Sequence, residues 1–293
     1  MAQHVVAGLD GSPESLAAAE WAAEEALLRQ AALRLVHAEE VAAGSAAPMV
    51  RPDVVRGWAD GILAEAAQEL RRRHPGLEIS TRRLSGRPAA ALAVDALDAD
   101  LLVLGSRGLG AVLGFLVGSV GLATVGATER PVVLVRADDT RAGGAGRGGS
   151  GPYGEVLLGV DIHQSCEPLL AFAFEEAARR GCTLRVVHAW TLPPVFSYAP
   201  VLDPGIQLEV GGTVAQSLSD MLAPWRIKFP SVRITERPVI GPPARELVYA
   251  ADNADLVIVG RRIRSSPLGA HIGHVAHAVI HHCVAPVAVV AHD

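Results

Sequence analysis

The chain has 293 residues, which at about 150 residues per domain suggests two domains. Twenty-six basic and 31 acidic residues leave a net charge of −5, the wrong sign for a protein that coats nucleic acid or an anionic membrane. Half of the residues are hydrophobic and 19% are charged, which excludes disorder overall; three cysteines (Cys166, Cys182, Cys283) with no CxxC spacing exclude a disulfide framework or a zinc ribbon.

The first segment, MAQHVVAGLDGSP, begins on a strand-like run without a signal-peptide pattern, so a cytoplasmic location is expected. Strand 5–9 leads through Ser12-Pro13, an N-cap followed by a first-turn proline, into helix 13–32. Then come strand 33–38, helix 52–74, strand 78–84, helix 88–96, strand 101–105, helix 119–127 and strand 132–136. Runs such as LLVLG and VVLVR are apolar throughout rather than alternating, as in strands buried on both faces. Alternation of such strands with helices predicts an α/β fold with a parallel sheet. In such sheets ligands bind beyond the strands' carboxyl ends, here after Leu9, Ala38 and Gly105.

The second half repeats the first. HVVAGLD, ending at Asp10, returns as EVLLGVD, ending at Asp161, and LRLVHA with His37 returns as LRVVHA with His188, both at an offset of 151. From SGRPAAAL and IGPPAREL onward the offset is 155, pairing Gly86 with Gly241, Gly105 with Gly260 and Pro131 with Pro286. Between the copies, ADDTRAGGAGRGGSGPYG holds seven glycines and reads as a flexible tether. The expected domains are therefore 1–137 and 155–293, joined by 138–154.

After the fourth strand stands Gly105-x2-Gly108-x9-Gly118-Ser119. Two arrangements fit it. Glycines there let backbone N–H groups approach an anion at positive φ, with a helix N-terminus, the Ser119 hydroxyl and Arg107 adding donors and charge. Alternatively, they permit tight packing of a turn. Asp10 is similarly two-sided: it contacts a ligand, or it bonds turn N–H groups ahead of the helix. His37 and His188 read as packing or hydrogen-bonding residues rather than catalysts.

The glycine pattern, with VVAGLDGS and LRLVHA, resembles the universal stress protein family, and because it recurs it resembles the tandem type. The resemblance implies two Rossmann-like domains, each a five-stranded, mostly parallel sheet with helices on both faces, akin to adenine nucleotide alpha-hydrolases. It implies ATP, accompanied by magnesium in some members, bound by Gly8, Asp10, Ala38, Gly105, Arg107, Gly108, Gly118, Ser119 and Val120. Asp10 would lie by the adenine and ribose, the Ala38 backbone by the adenine edge, and the glycines, Ser119 and Val120 around the phosphates. The weaker counterpart set is Asp161, Ala189, Gly260, Arg262, Gly273 and His274. The resemblance also implies a regulatory binder in stress or dormancy, acting as a homodimer or as a pseudo-dimer within one chain.

The second copy departs from the pattern, with Ile263 in place of the middle glycine and His274 in place of the serine. Ile is unsuited to positive φ, while Arg261, Arg262 and Arg264 add charge. A weakened site, a site for another anion and a structural copy all fit. His271, His274, His277, His281 and His282 cluster in the last helical segment without a completing carboxylate pair, so a solvated or interface face is favoured over a metal site. Gly108-x-Gly110-x3-Gly114 lacks the context of a dinucleotide loop, and no Walker A sequence or SGGxDS loop is present. Residues 108–128 carry no charge, but their repeat partner holds Arg264 and five histidines, which argues against a membrane span. The Arg71–Arg73 and Arg82-Arg83 runs read as exposed faces. The expected function is a regulatory ATP binder with a competent first site and an altered second one. Slow ATP hydrolysis and a nucleotide-free interaction module are the alternatives, and no general base or nucleophile is evident.

Overall fold

A computed structural model describes residues 4–39, 52–106, 118–137, 154–191, 204–263 and 272–293. Arg107, Gly108, Arg264, His271 and most of the glycine-rich tether lie outside the described residues. The chain divides into two compact units.

The N-terminal unit runs β1 (His4–Gly8), α1 (Pro13–Arg29), β2 (Ala32–Glu39), α2 (Pro52–Arg73), β3 (Ile79–Ser85), α3 (Pro88–Asp95), β4 (Leu101–Gly105), α4 (Ser119–Ala127) and β5 (Val132–Val135). Its strands lie in the order β3-β2-β1-β4-β5, and each neighbouring pair is parallel. The chain moves outward from β1 to β3 and then returns to the other side of β1. Right-handed crossovers taken in opposite directions put α1 and α2 on one face and α3 and α4 on the other. The reversal leaves a crevice above the carboxyl ends of β1 and β4.

The sequence explains these elements locally. Val5, Val6, Leu101, Leu102, Val103 and Val133 are fully buried, as strands covered on both faces require. Ala18, Ala22, Ala23 and Ala26 put a flat, small-residue face of α1 against them, so the helix sits close to the sheet. Ser12 caps α1 by accepting the Ser15 N–H at 3.2 Å. The helix ends at Arg29, earlier than the expected residue 32. Gln30 takes the left-handed conformation at φ 55°, and its N–H closes the last turn on Ala26 and Leu27. Likewise the third helix stops at Asp95 and tightens into a 3₁₀ turn over Ala96–Asp98.

The C-terminal unit runs β6 (Glu155–Gly159), α5 (Glu167–Arg180), β7 (Thr183–Trp190), α6 (Pro204–Lys228), β8 (Arg233–Ile240), α7 (Pro243–Ala250), β9 (Leu256–Arg262), α8 (His274–His282) and β10 (Val287–His292). Its parallel order, β10-β9-β6-β7-β8, is that of the first unit. The core is more aromatic here: Phe174 on α5 stacks on Trp225 of α6 at 5.5 Å and meets Phe229 at the same distance. β9 and β10 also run two residues longer than β4 and β5, so Arg261 and Arg262 pair with Ala291 and His292. Among the described residues no helix is long and apolar enough to cross a membrane.

Candidate functional site

The crevice of the N-terminal unit is bordered by the turn after β1, the end of β2, and the junction of β4 with α4. Asp10 holds the first turn together. Its Oδ1 accepts the Ser12 N–H at 3.0 Å and the Ser12 hydroxyl at 2.5 Å, with Gly11 at φ 82° between them. This is the turn chemistry that an Asx residue before a helix supplies. His37, near the end of β2, donates from Nδ1 to the Leu9 carbonyl at 2.7 Å; a carbonyl only accepts, so Nδ1 carries the proton. The edge of its ring meets Trp58 of α2 at 5.5 Å. Ala38, half-buried, follows in register with Leu84.

Packing accounts for two of the glycines. A Cβ on Gly8 would lie 2.5 Å from Leu104 Cδ2, and one on Gly105 would lie 2.8 Å from both the Glu14 carbonyl carbon and the Ser15 nitrogen. Neither Gly105 nor Gly118 has positive φ, contrary to the conformation expected of an anion-cradling loop. Gly105 is instead the point where β4 slides under the first turn of α1. Side chains alternate along an extended chain, so Ser106 faces the opposite layer, that of α3 and α4. It is buried, its N–H reaches the Val135 carbonyl at 2.7 Å, and its own carbonyl accepts the Gly118 N–H at 2.7 Å. Its hydroxyl is buried with no hydrogen-bond partner among the described residues. Gly118 is the N-cap of α4 and no side chain caps that end, while Ser119 and Val120 are exposed. A helix N-terminus that no side chain caps among the described residues thus follows a residue whose buried hydroxyl has no partner among them, an arrangement suited to an anionic group.

The counterpart site is built differently. Asp161 is exposed, and its two oxygens accept the His163 N–H at 3.0 Å and the Gln164 side-chain amide at 2.5 Å. His188 repeats the His37 bond, with Nδ1 donating to the Val160 carbonyl at 3.0 Å, and Ala189 follows it in β7. Gly260 is overlaid by a side chain: a Cβ there would stand 2.5 Å from His292 Nε2. Ile263, where the first copy has a glycine, spends its N–H on the His292 carbonyl at 2.7 Å, and Arg261, the counterpart of Ser106, is buried. Arg262 is exposed, Gly273 caps α8 without positive φ, and His274 is an exposed first residue of that helix. His277 and His281 share a face of α8 with rings 4.2 Å apart. No group of three or more His, Cys, Asp or Glu residues suited to a metal ion occurs among the described residues.

The sequence profile of the universal stress protein family matches residues 1–136 and again 152–291. The chain belongs to the universal stress protein family. Among its relatives, the universal stress protein Rv2005c of Mycobacterium tuberculosis is 33% identical over 98% of this chain and 97% of its own length. The universal stress protein Rv2623 of the same organism is 34% identical, covering 97% and 95%. In fold, the chain is similar to the crystal structure of a universal stress protein from Archaeoglobus fulgidus, at 17% identity, a TM-score of 0.69 and 98% coverage of each chain.

In this universal stress protein the family motif singles out the glycines, whereas the hydroxyl left without a partner belongs to Ser106, an unspecified position between them. Strand alternation is the sequence signal that identifies it: if Gly105 faces α1, the next residue faces α4. No comparable signal announced His292, which reaches Gly260 from the far end of the chain. Cys166 and Cys182 are free thiols, and all three cysteines are buried. Burial, assisted by Asp161, pushes the Cys166 thiol up to about 11, and burial also raises Cys182. At pH 8 only about one Cys166 in a thousand is then thiolate. Iodoacetamide is expected to leave Cys166 and Cys182 unmodified in the folded chain and to label both in urea, as read by peptide mass spectrometry.

Proposed function

We propose that this protein is a regulatory binder of an adenine nucleotide, with one competent site in the N-terminal unit and an altered site in the C-terminal unit. The domains are taken as 1–137 and 155–293, with 138–154 as the tether. One observation carries the reading: the N-terminus of α4, which no side chain caps, is joined through the Gly118 N–H to Ser106, whose buried hydroxyl has no partner among the described residues. Phosphate oxygens placed there accept from the first-turn N–H groups of α4 and from the Ser106 hydroxyl, with Ser119 at the rim. Asp10 and Ala38 border the same crevice on the side where the ribose and base would extend. Magnesium would enter on the phosphates, since it favours phosphate oxygens and retained waters over a dedicated protein cage. In the C-terminal unit the His292 ring beside Gly260 and the committed Ile263 N–H favour a structural or weakened copy. Because Asp10 Oδ1 is engaged by Ser12, binding is favoured over turnover.

Thermal unfolding with and without magnesium ATP tests this. At a hundredfold excess over Kd, binding adds about 2.7 kcal/mol, which raises the midpoint of the N-terminal transition by about 5–10 °C. Ser106→Ala removes a donor and is expected to weaken ATP about tenfold. Calorimetric titration should give one nucleotide per chain. No shift at millimolar ATP overturns the proposal, and two equivalent sites overturn its asymmetry.

A further inference from the structure

β2 and β3 are parallel, so α2 must return from the carboxyl end of one to the amino end of the other, and its first turns stand beside the carboxyl ends of the strands. Trp58 lies in the second of those turns. Its side chain is large and apolar, yet the residue is 49% exposed. A single exposed aromatic is ordinary on a protein surface, so its neighbours decide what it means. The indole meets the His37 ring in a T-shaped contact at 5.5 Å. A Cβ on Gly11 would lie 3.7 Å from Cζ2 of Trp58 and 3.0 Å from Cδ1 of Ile62, one turn further along α2. Gly11 belongs to the Asp10 turn, and His37 precedes Ala38. The Trp58 ring therefore stands at the rim of the crevice, between the two residues on whose side the ribose and base would extend.

The C-terminal unit builds this place without a tryptophan. Buried Leu63, Ala67 and Leu77 correspond to buried Leu218, Leu222 and Val232 at the offset of 155, which sets Thr213 of α6 where α2 has Trp58. The Thr213 hydroxyl donates to the Glu209 carbonyl within its own helix at 3.2 Å. Ile162 replaces Gly11, and the ring nearest to His188 is that of His163, from the turn itself, at 6.2 Å. The indole thus belongs to the unit whose phosphate side is open, and the unit with His292 beside Gly260 lacks its equivalent.

An indole half open to water gains by having a flat ring laid on it. Every nucleobase has such a face, and a purine covers more of an indole than a pyrimidine does. The His37 ring, itself fixed by its bond to the Leu9 carbonyl, packs against Trp58, so the platform is largely formed before a ligand arrives. We infer that Trp58 is the base-stacking residue of the N-terminal site, its indole covering one face of the purine. The inference rests on the nucleotide reading given above and assigns the purine's contact to a side chain that neither Thr213 nor the turn of the second copy reproduces.

Magnesium ATP, and magnesium tripolyphosphate, which carries the phosphates without the base, are titrated into the full chain by calorimetry and by tryptophan fluorescence. ATP should quench emission and tripolyphosphate should not. The quench should vanish in Trp58→Phe, which keeps a smaller ring and should bind ATP within about threefold of the parent. Trp58→Ala should weaken ATP at least about fivefold and tripolyphosphate less than about twofold. A disturbed fold or Gly11 turn weakens both ligands alike, so equal losses overturn the inference. ATP binding with no Trp58-dependent quench, or with full affinity in Trp58→Ala, overturns it as well and leaves the nucleotide reading standing. Absence of ATP binding by the parent chain overturns both.

Discussion

Gly105→Ala is expected to destabilise the N-terminal unit by about 3 kcal/mol, the upper end for overpacking a close-packed interior. The added methyl would meet the Glu14 carbonyl carbon and the Ser15 nitrogen at 2.8 Å, both backbone atoms in the first turn of α1. A helix held by the Ser12 cap and by a buried alanine face cannot yield by a side-chain rotation, so the strain spreads into β4 and the Asp10 turn. Gly260→Ala, the equivalent change, meets chiefly the imidazole of His292 and the end of Leu169. Side chains can move aside, and the expected cost is about 1 kcal/mol. Urea unfolding of the two variants beside the parent chain checks both numbers, and equal effects would contradict this account. If the nucleotide proposal is correct, Gly105→Ala also reduces ATP binding, since Ser106 and Gly118 depend on the same strand end.

Glu176→Ala is expected to cost about 3–5 kcal/mol in the C-terminal unit. Glu176 is fully buried on α5, where it accepts from Arg180 one turn later and from Arg179 at 2.7 Å. Removing the carboxylate strips the buried guanidinium of Arg180 of its bond to Glu176, and breaking a buried pair from one side is strongly destabilising. The pair has an exact repeat in α1, Glu25 with Arg29 at 2.5 Å, so Glu25→Ala should behave similarly in the N-terminal unit. Arg73 and Glu69 form a pair of like spacing on an exposed face of α2, and breaking it should change stability far less. Chemical denaturation of a chain in which Trp21, Trp58 and Trp190 are replaced by phenylalanine reports the C-terminal transition through Trp225, whose ring stacks on Phe174 of α5.

These two cases mark how far a one-dimensional reading carries. The repeat, the alternation of strands with helices, and the Ser12-Pro13 helix start were legible because they depend on periodicity and on interactions within a few residues. Family membership was legible for the same reason, since its motif sits on a strand end and the helix that follows. The end of α1 was less so: whether Gln30 or a later residue turns the chain depends on where β2 must begin to pair with β1. The glycines show the limit most clearly. Gly105 looked like a residue that cradles a ligand, yet the atoms nearest its missing side chain belong to a helix roughly ninety residues earlier.

By itself, then, the sequence determined that one α/β domain is written twice, that each copy is a parallel sheet, and that the second loop has diverged. Length and a charge of −5 had already pointed to two domains without a broad basic surface. Only the tertiary structure decided that the Ser106 hydroxyl is buried without a partner among the described residues in the first copy, and that the space beside Gly260 is taken by His292 in the second. Likewise, that Pro238 removes from β8 an outward N–H that Arg83 keeps on β3 mattered only once both were seen to lie on outermost strands. The physical reason is common to all three. Burial, hydrogen-bond satisfaction and edge exposure are properties of neighbours brought together by the fold, and the order of residues along the chain does not contain them until the strands have paired.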